Sequence, residues 1–299
     1  MTGGTVFDIG YQRYTGVREG RGRARRAVFK DSVRTALGFG RGAKAKVLPW
    51  FFIGVLSAIG LVMAIVAGAA NRLGGPGTAE RAGLPSHVDF YGAASIIMFV
   101  FAAVVAPELL CRDRREGVIN LYLVRPLTGT DYIAARWLAF FLVMLAAAWA
   151  PQFILFLGLS MGDAAPLVYL KNHWLDVPRF MLSGVAMAAF LTTLAMLTAS
   201  FTTRRAYASV FLVGLVVISS PFTVGLAEEM EGMAAQWVSM FTITNIPMHV
   251  NDVIFGKFSE MTEEVPARLF ANWIKVTWCI AWTAIPGALL WSRYRKLTP

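Results

Sequence analysis

Residues 47–71 contain no charged side chain. At 1.5 Å per residue a helix of that length covers about 37 Å, more than the ~30 Å of hydrocarbon in a bilayer. Five further apolar runs follow, at 90–110, 137–162, 180–203, 206–227 and 270–292. Hydrophobic residues make up 57% of the chain, against roughly 45–50% in a soluble domain. Backbone in lipid must satisfy its own hydrogen bonds, so each run is expected to be a helix. The expected fold is an all-α membrane protein. Six transmembrane helices fill 47–292, between a basic arm (1–46) and a basic tail (293–299).

Charge sets the expected orientation. With six spans and both termini on one side, 21 of the 28 basic residues fall on the terminal side and seven on the other. This positive-inside bias predicts cytoplasmic N- and C-termini. The net charge of +10 then reports orientation rather than nucleic-acid binding. Within the arm, Ala27, Val28, Val33, Ala36 and Leu37 recur near helical spacing, with Arg26, Lys30 and Arg34 on the opposite side. The pattern fits a basic amphipathic helix over 24–37 on anionic lipid, or a plain positive-inside tail. Residues 228–268 are acidic at both ends, and their uncharged middle, 232–251, is too polar for an ordinary span. That middle reads as an outer, half-inserted helical segment between spans five and six. Lys275 is expected to snorkel to the interface.

Several chemistries are absent from the sequence. There is no G-x-x-x-x-G-K-[ST] phosphate loop, so no ATP hydrolysis of the usual kind is expected in this chain, and no H-E-x-x-H. His87, His173 and His249 lie far apart in segments read as solvated loops, so no metal site is expected. The spans are nearly free of ionisable groups, whereas ion-coupled carriers usually keep one near mid-membrane. Gly158 and Gly162 are four apart and suit either close helix approach or helix punctuation.

The remaining feature is the segment 107–137, PELLCRDRREGVINLYLVRPLTGTDYIAARW, too charged to lie in lipid. Glu108, Arg112 and Glu116 recur every four residues and predict a short ion-pair ladder. Gly117 permits a bend, Arg125-Pro126 a stop, and Thr128–Asp131 a helix cap. Read alone, the segment is either an ordinary loop or a docking element.

The ordered positions Pro107, Glu108, Asp113, Arg114, Gly117, Leu121, Arg125, Pro126, Tyr132 and Arg136 resemble the loop between spans two and three of ABC-2-type transporter permeases. The resemblance implies a coupling helix built from Glu108, Arg112, Asp113, Arg114, Arg115, Glu116, Gly117, Leu121, Arg125 and Pro126. It also implies two copies of a separate ATP-binding subunit, which hold the ATP and magnesium, and a second permease copy in a homodimer. The chain is then the membrane subunit of an exporter in the bacterial cytoplasmic membrane. A secondary transporter and a non-transporting membrane anchor or assembly protein are the alternatives.

Overall fold

The computed structural model describes residues 20–40, 42–75, 77–119, 127–163, 165–259 and 262–296. The arm at 11–18 and the coupling positions Leu121, Arg125 and Pro126 lie outside them. The described elements are α1 (Arg21–Ala36), α2 (Ala43–Gly74), α3 (Thr78–Arg81), α4 (His87–Arg115), α5 (Gly129–Gly162), α6 (Pro166–Asn172), α7 (Asp176–Ser200), α8 (Arg205–Glu228), α9 (Gly232–Ser239), α10 (Asn245–Phe255) and α11 (Asn272–Arg295). A 3-10 turn at Pro266–Leu269 precedes α11. No strand occurs among the described residues. Six helices are long and apolar enough to cross a membrane: α2, α4, α5, α7, α8 and α11.

The helices outrun the apolar stretches because their caps, not lipid solubility, decide where they start. α4 begins at His87 rather than Phe90, since Ser86 and Asp89 form a reciprocal capping box. α5 begins at Gly129, eight residues before the apolar run, through the same device between Thr128 and Asp131. α4 ends where Gly117 turns left-handed (φ 68°) and the Val118 amide donates to the Asp113 carbonyl at 3.1 Å. That bond closes the helix and produces the expected bend.

α4, α5 and α7 form the buried centre, while α8 and α11 bury little of their surface. Val210, Val217 and Phe222 on α8 and Ile280 and Ile285 on α11 are largely exposed, which suits an apolar surrounding. α2 packs along α5 through a glycine seam. A Cβ on Gly60 would come within 2.6 Å of the Pro151 oxygen, one on Gly158 within 2.5 Å of the Ala64 Cβ, and one on Gly162 within 2.5 Å of the Gly68 Cα. The glycines therefore serve close approach, not punctuation. The seam also sets levels. Gly60 lies beside Pro151, and the His87 Nδ1 lies 2.7 Å from the Gln152 Oε1. From there α5 runs on about 15 Å and α2 about 20 Å beyond the start of α4.

The space above α4 is covered by α10, which packs on α4, α7 and α11 and is buried from Asn245 through Asp252. The Asn251 amide donates to the Val88 carbonyl at 2.9 Å. Two expectations fail in this cap. His87 and His249 are buried rather than solvated, because α4 starts earlier than its apolar run and α10 lies against the bundle. Lys275 does not snorkel. It is buried, donating from Nζ to the Arg268 carbonyl at 2.8 Å with the Phe258 ring 5.1 Å away. Burial, with the Lys275 ammonium adding to it, holds the His249 imidazole down at about 4, and burial pushes the Asp252 carboxyl up to about 6.

The glycine seam and the buried histidine can each be tested by melting. Gly158→Ala is expected to destabilise the fold by about 1–3 kcal/mol through overpacking. Gly214→Ala, where the added carbon meets nothing within 4 Å, should keep or raise the melting temperature in detergent. His249 stays neutral when folded but takes up a proton below about 6.5 when unfolded, so its contribution to stability falls as pH drops from about 6.5 through 4. Acidification relieves Asp252 in the opposite sense, so variant and wild type must be compared at each pH. Between pH 7 and 5, His249→Gln should lose about 2 kcal/mol less than wild type, read from paired thermal melts.

Candidate functional site

Most of the charged residues singled out in the sequence gather at one end of the bundle, the base. α1, the ends of α4 and α7 and the starts of α5 and α8 meet there. α1 buries Val28, Ser32 and Ala36 against α4 and α5, while Arg26, Lys30 and Arg34 stay exposed.

Arg136, two turns into α5, is only 2% exposed. Its guanidinium reaches the Asp113 Oδ2 at 2.5 Å, the Asp31 Oδ2 at 3.3 Å and the Ser32 hydroxyl at 3.1 Å. The Tyr132 hydroxyl donates to the same Asp113 oxygen at 2.7 Å, and its ring stacks on Tyr294 of α11 at 5.9 Å. The buried Arg136–Asp113 pair thus joins α4 to α5, Asp31 and Ser32 tie α1 to the same guanidinium, and Tyr294 brings α11 alongside. Asp131, already engaged in its cap, also accepts from the Arg21 Nε at 2.6 Å, which raises the Arg21 pKa and pins the start of α1 to the start of α5.

The other face of the α4 end is tied to the turn between α7 and α8. Glu108 pairs with Arg205, and Arg114 donates to the Ser200 carbonyl. The Cys111 thiol lies 3.5 Å from the Ala199 carbonyl and 3.4 Å from that of Thr202. Of the expected ladder, the Arg112–Glu116 step forms at 3.2 Å. With both side chains 42% exposed, it is worth only a few tenths of a kcal/mol. Arg115 lies 3.9 Å from the same Glu116.

The candidate residues therefore divide by position. Glu108, Asp113 and Arg114 bind neighbouring elements, whereas Arg112, Arg115, Glu116 and Gly117 present the end of α4 outward. Between them a cleft of about 180 Å³ opens, lined by Asp31, Thr35, Glu108, Arg112, Asp113, Glu116, Val118 and Arg136. In the sequence Arg136 is legible as a motif position and as a charge abutting an apolar run, but not as a buried one. A stronger signal is available: Tyr132 and Arg136 are one turn apart and demand a buried acid once α5 is extended to Gly129. Among the described residues no cluster of His, Cys, Asp or Glu is suited to hold a metal ion. Comparison of the chain with protein-family models and with curated proteins finds no match in either.

Removing either partner of the buried pair should strand a charge. Asp113→Leu and Arg136→Met are each expected to cost about 3–5 kcal/mol, and the double variant should recover most of that loss. A double-mutant cycle of thermal melts checks this.

Proposed function

We propose that the chain is the membrane-spanning permease subunit of an ATP-driven exporter, with the base facing the cytoplasm and a separate ATPase docking there. The observation that carries the reading is the division of charge at the end of α4. Arg112, Arg115 and Glu116 project outward, while Glu108, Asp113 and Arg114 fasten the same helix end to α8, α5 and α7 and, through Arg136, to α1. A push on the outward group is thereby delivered to several spans at once. The resemblance of the 107–136 segment to ABC-2-type permeases suggests the partner, two ATP-binding subunits on a homodimer of this chain. The lack of a phosphate loop in this sequence leaves ATP and magnesium to that partner. Arg26, Lys30 and Arg34 on α1 suit anionic headgroups beside the docking surface. The bacterial cytoplasmic membrane is the setting this reading requires.

The test is co-expression with the cognate ATPase. Replacing Arg112, Arg115 and Glu116 together by alanine is expected to cut transport-linked ATP hydrolysis at least tenfold while leaving the melting temperature unchanged. Glu108→Ala and Arg114→Ala should lower both. If no ATPase co-purifies, or hydrolysis is indifferent to all of these changes, the assignment fails.

Ion-coupled transport draws on a separate observation, the buried Asp252 and Lys275 in the cap. Substrate movement in proteoliposomes without ATP would select it.

A further inference from the structure

α1 buries one side and leaves the other bare. Val28, Ser32 and Ala36 face the bundle at a four-residue repeat. Arg26, Lys30 and Arg34 follow the same repeat two positions away, about 200° around the helix, and all three are exposed. Other cations of the base, Arg21, Arg112, Arg136 and Arg205, each meet a carboxylate. Arg26, Lys30 and Arg34 meet none among the described residues. The one acid on α1, Asp31, is engaged with Arg136 at 3.3 Å. The outer side of α1 is therefore a stripe of a single sign, about 12 Å long.

The stripe lies across the spans. α1 meets α5 through Arg21 and Asp131 and, eleven residues later, through Ser32 and Arg136. About 17 Å of α1 thus corresponds to about 8 Å of α5, so α1 crosses the span obliquely, more nearly in the plane of a membrane than along its normal. Beyond the end of α1 stands an aromatic pair. The Phe39 and Trp50 rings lie edge to face with centroids 6.1 Å apart, and the Lys46 ammonium is 5.9 Å from the Phe39 centroid. Trp50 is 50% exposed, beside the exposed Val47 and Phe51 at the start of α2. Tryptophan and lysine in that setting mark the level of lipid headgroups, and the stripe leads away from it. The docking residues on α4 carry both signs. The stripe carries one and adjoins the headgroup level, which favours lipid phosphate over a protein partner.

We propose that anionic phospholipid headgroups occupy this stripe and that their charge tunes the coupling of an ATPase to the spans. The second half rests on the transport reading above. Each basic residue near an anionic surface favours it about fivefold, so three together prefer anionic to neutral lipid on the order of a hundredfold. Held by the leaflet, α1 keeps Asp31 and Ser32 on Arg136, and through that guanidinium it keeps the end of α4 fixed against α5. A neutral leaflet leaves that hold to protein contacts alone, and a push at the end of α4 is then passed on less completely.

The experiment places the full chain, without any ATPase, in phosphatidylcholine nanodiscs carrying a trace of photoreactive phosphatidylglycerol or photoreactive phosphatidylcholine. Residues 26–39 are expected to crosslink to the anionic probe at least tenfold more than to the neutral one. Salt at about 1 M, which shortens screening to about 3 Å, should erase the difference. Arg26→Gln, Lys30→Gln and Arg34→Gln together should bring anionic labelling down to the neutral level. The melting temperature of that variant in phosphatidylcholine should not move, since the three side chains have no ion pair to lose. Lys171→Gln, exposed at the other end of the bundle, should change nothing. Equal labelling by the two probes, or a preference that survives the triple change, overturns the proposal. Displacement of the probe by millimolar inorganic phosphate also overturns it, in favour of a soluble anion. With the cognate ATPase bound, adding phosphatidylglycerol should raise hydrolysis at least threefold in wild type and leave the triple variant unchanged. Selective labelling with hydrolysis indifferent to phosphatidylglycerol overturns the coupling half. Loss of the ATPase from the triple variant in pure phosphatidylcholine, with equal labelling of wild type by both probes, overturns the whole in favour of a protein docked on the stripe. Selective labelling of a chain that never engages an ATPase keeps the lipid site and sinks the transport reading.

Discussion

The arrangement of the base depends on one almost wholly buried guanidinium. Arg136 lies two turns inside a helix that is otherwise apolar from Trp137 onward, and an isolated charge in that position would cost several kcal/mol. Asp113 and Asp31 arrive from different helices to meet it, and Tyr132 holds Asp113 from the opposite side. The set is mutually dependent. α1 cannot leave without uncovering Arg136, and the end of α4 cannot rotate without breaking Asp113 from both of its donors. The same geometry makes α1 a structural element of the bundle, since its buried side, Val28, Ser32 and Ala36, faces protein.

The six spans are legible in the sequence because lipid imposes a condition that local sequence alone can meet: enough uncharged residues in a row. The base is not legible in the same way, because several of its contacts join residues 86 to 110 positions apart, as in Arg114–Ser200, Glu108–Arg205, Arg136–Ser32 and Arg21–Asp131. A four-residue period suggests Glu108–Arg112–Glu116, yet Glu108 is drawn to Arg205, which only the folding-back of α8 brings near. The histidines show the converse error. His87 follows a Gly/Pro-rich stretch and reads as loop, although Ser86 with Asp89 three residues on is a helix-start signal in its own right. Lys275 reads as an interfacial anchor because it stands at the head of an apolar run. The cap over it, assembled from 256–259 and 262–270, is too irregular in sequence to be anticipated.

The two ends of the bundle are held by different physics. At the base, charge meets charge with short, directional bonds. In the cap, α10 is held by burial and by bonds such as Asn251 to Val88, while several polar atoms, including both His249 ring nitrogens and the Asp252 Oδ2, have no hydrogen-bond partner among the described residues.

Where the bundle can yield follows from the same contrast. α2 and α5 are locked by glycines at backbone contact, and α1, α4 and α5 by the Arg136 cluster, so these four behave as one block. α8 and α11 bury the least. α8 is nevertheless tethered at its first residue by Arg205 to Glu108, and the end of α7 before the turn is held by the Arg114 bond to Ser200. Displacing the end of α4 therefore pulls α8 from its base end while its weakly packed length is free to tilt. Weakly packed elements reorganise at lower cost than core ones. The turn at 201–204 is thus the natural pivot, and α8 the span most easily moved by a force applied at the base.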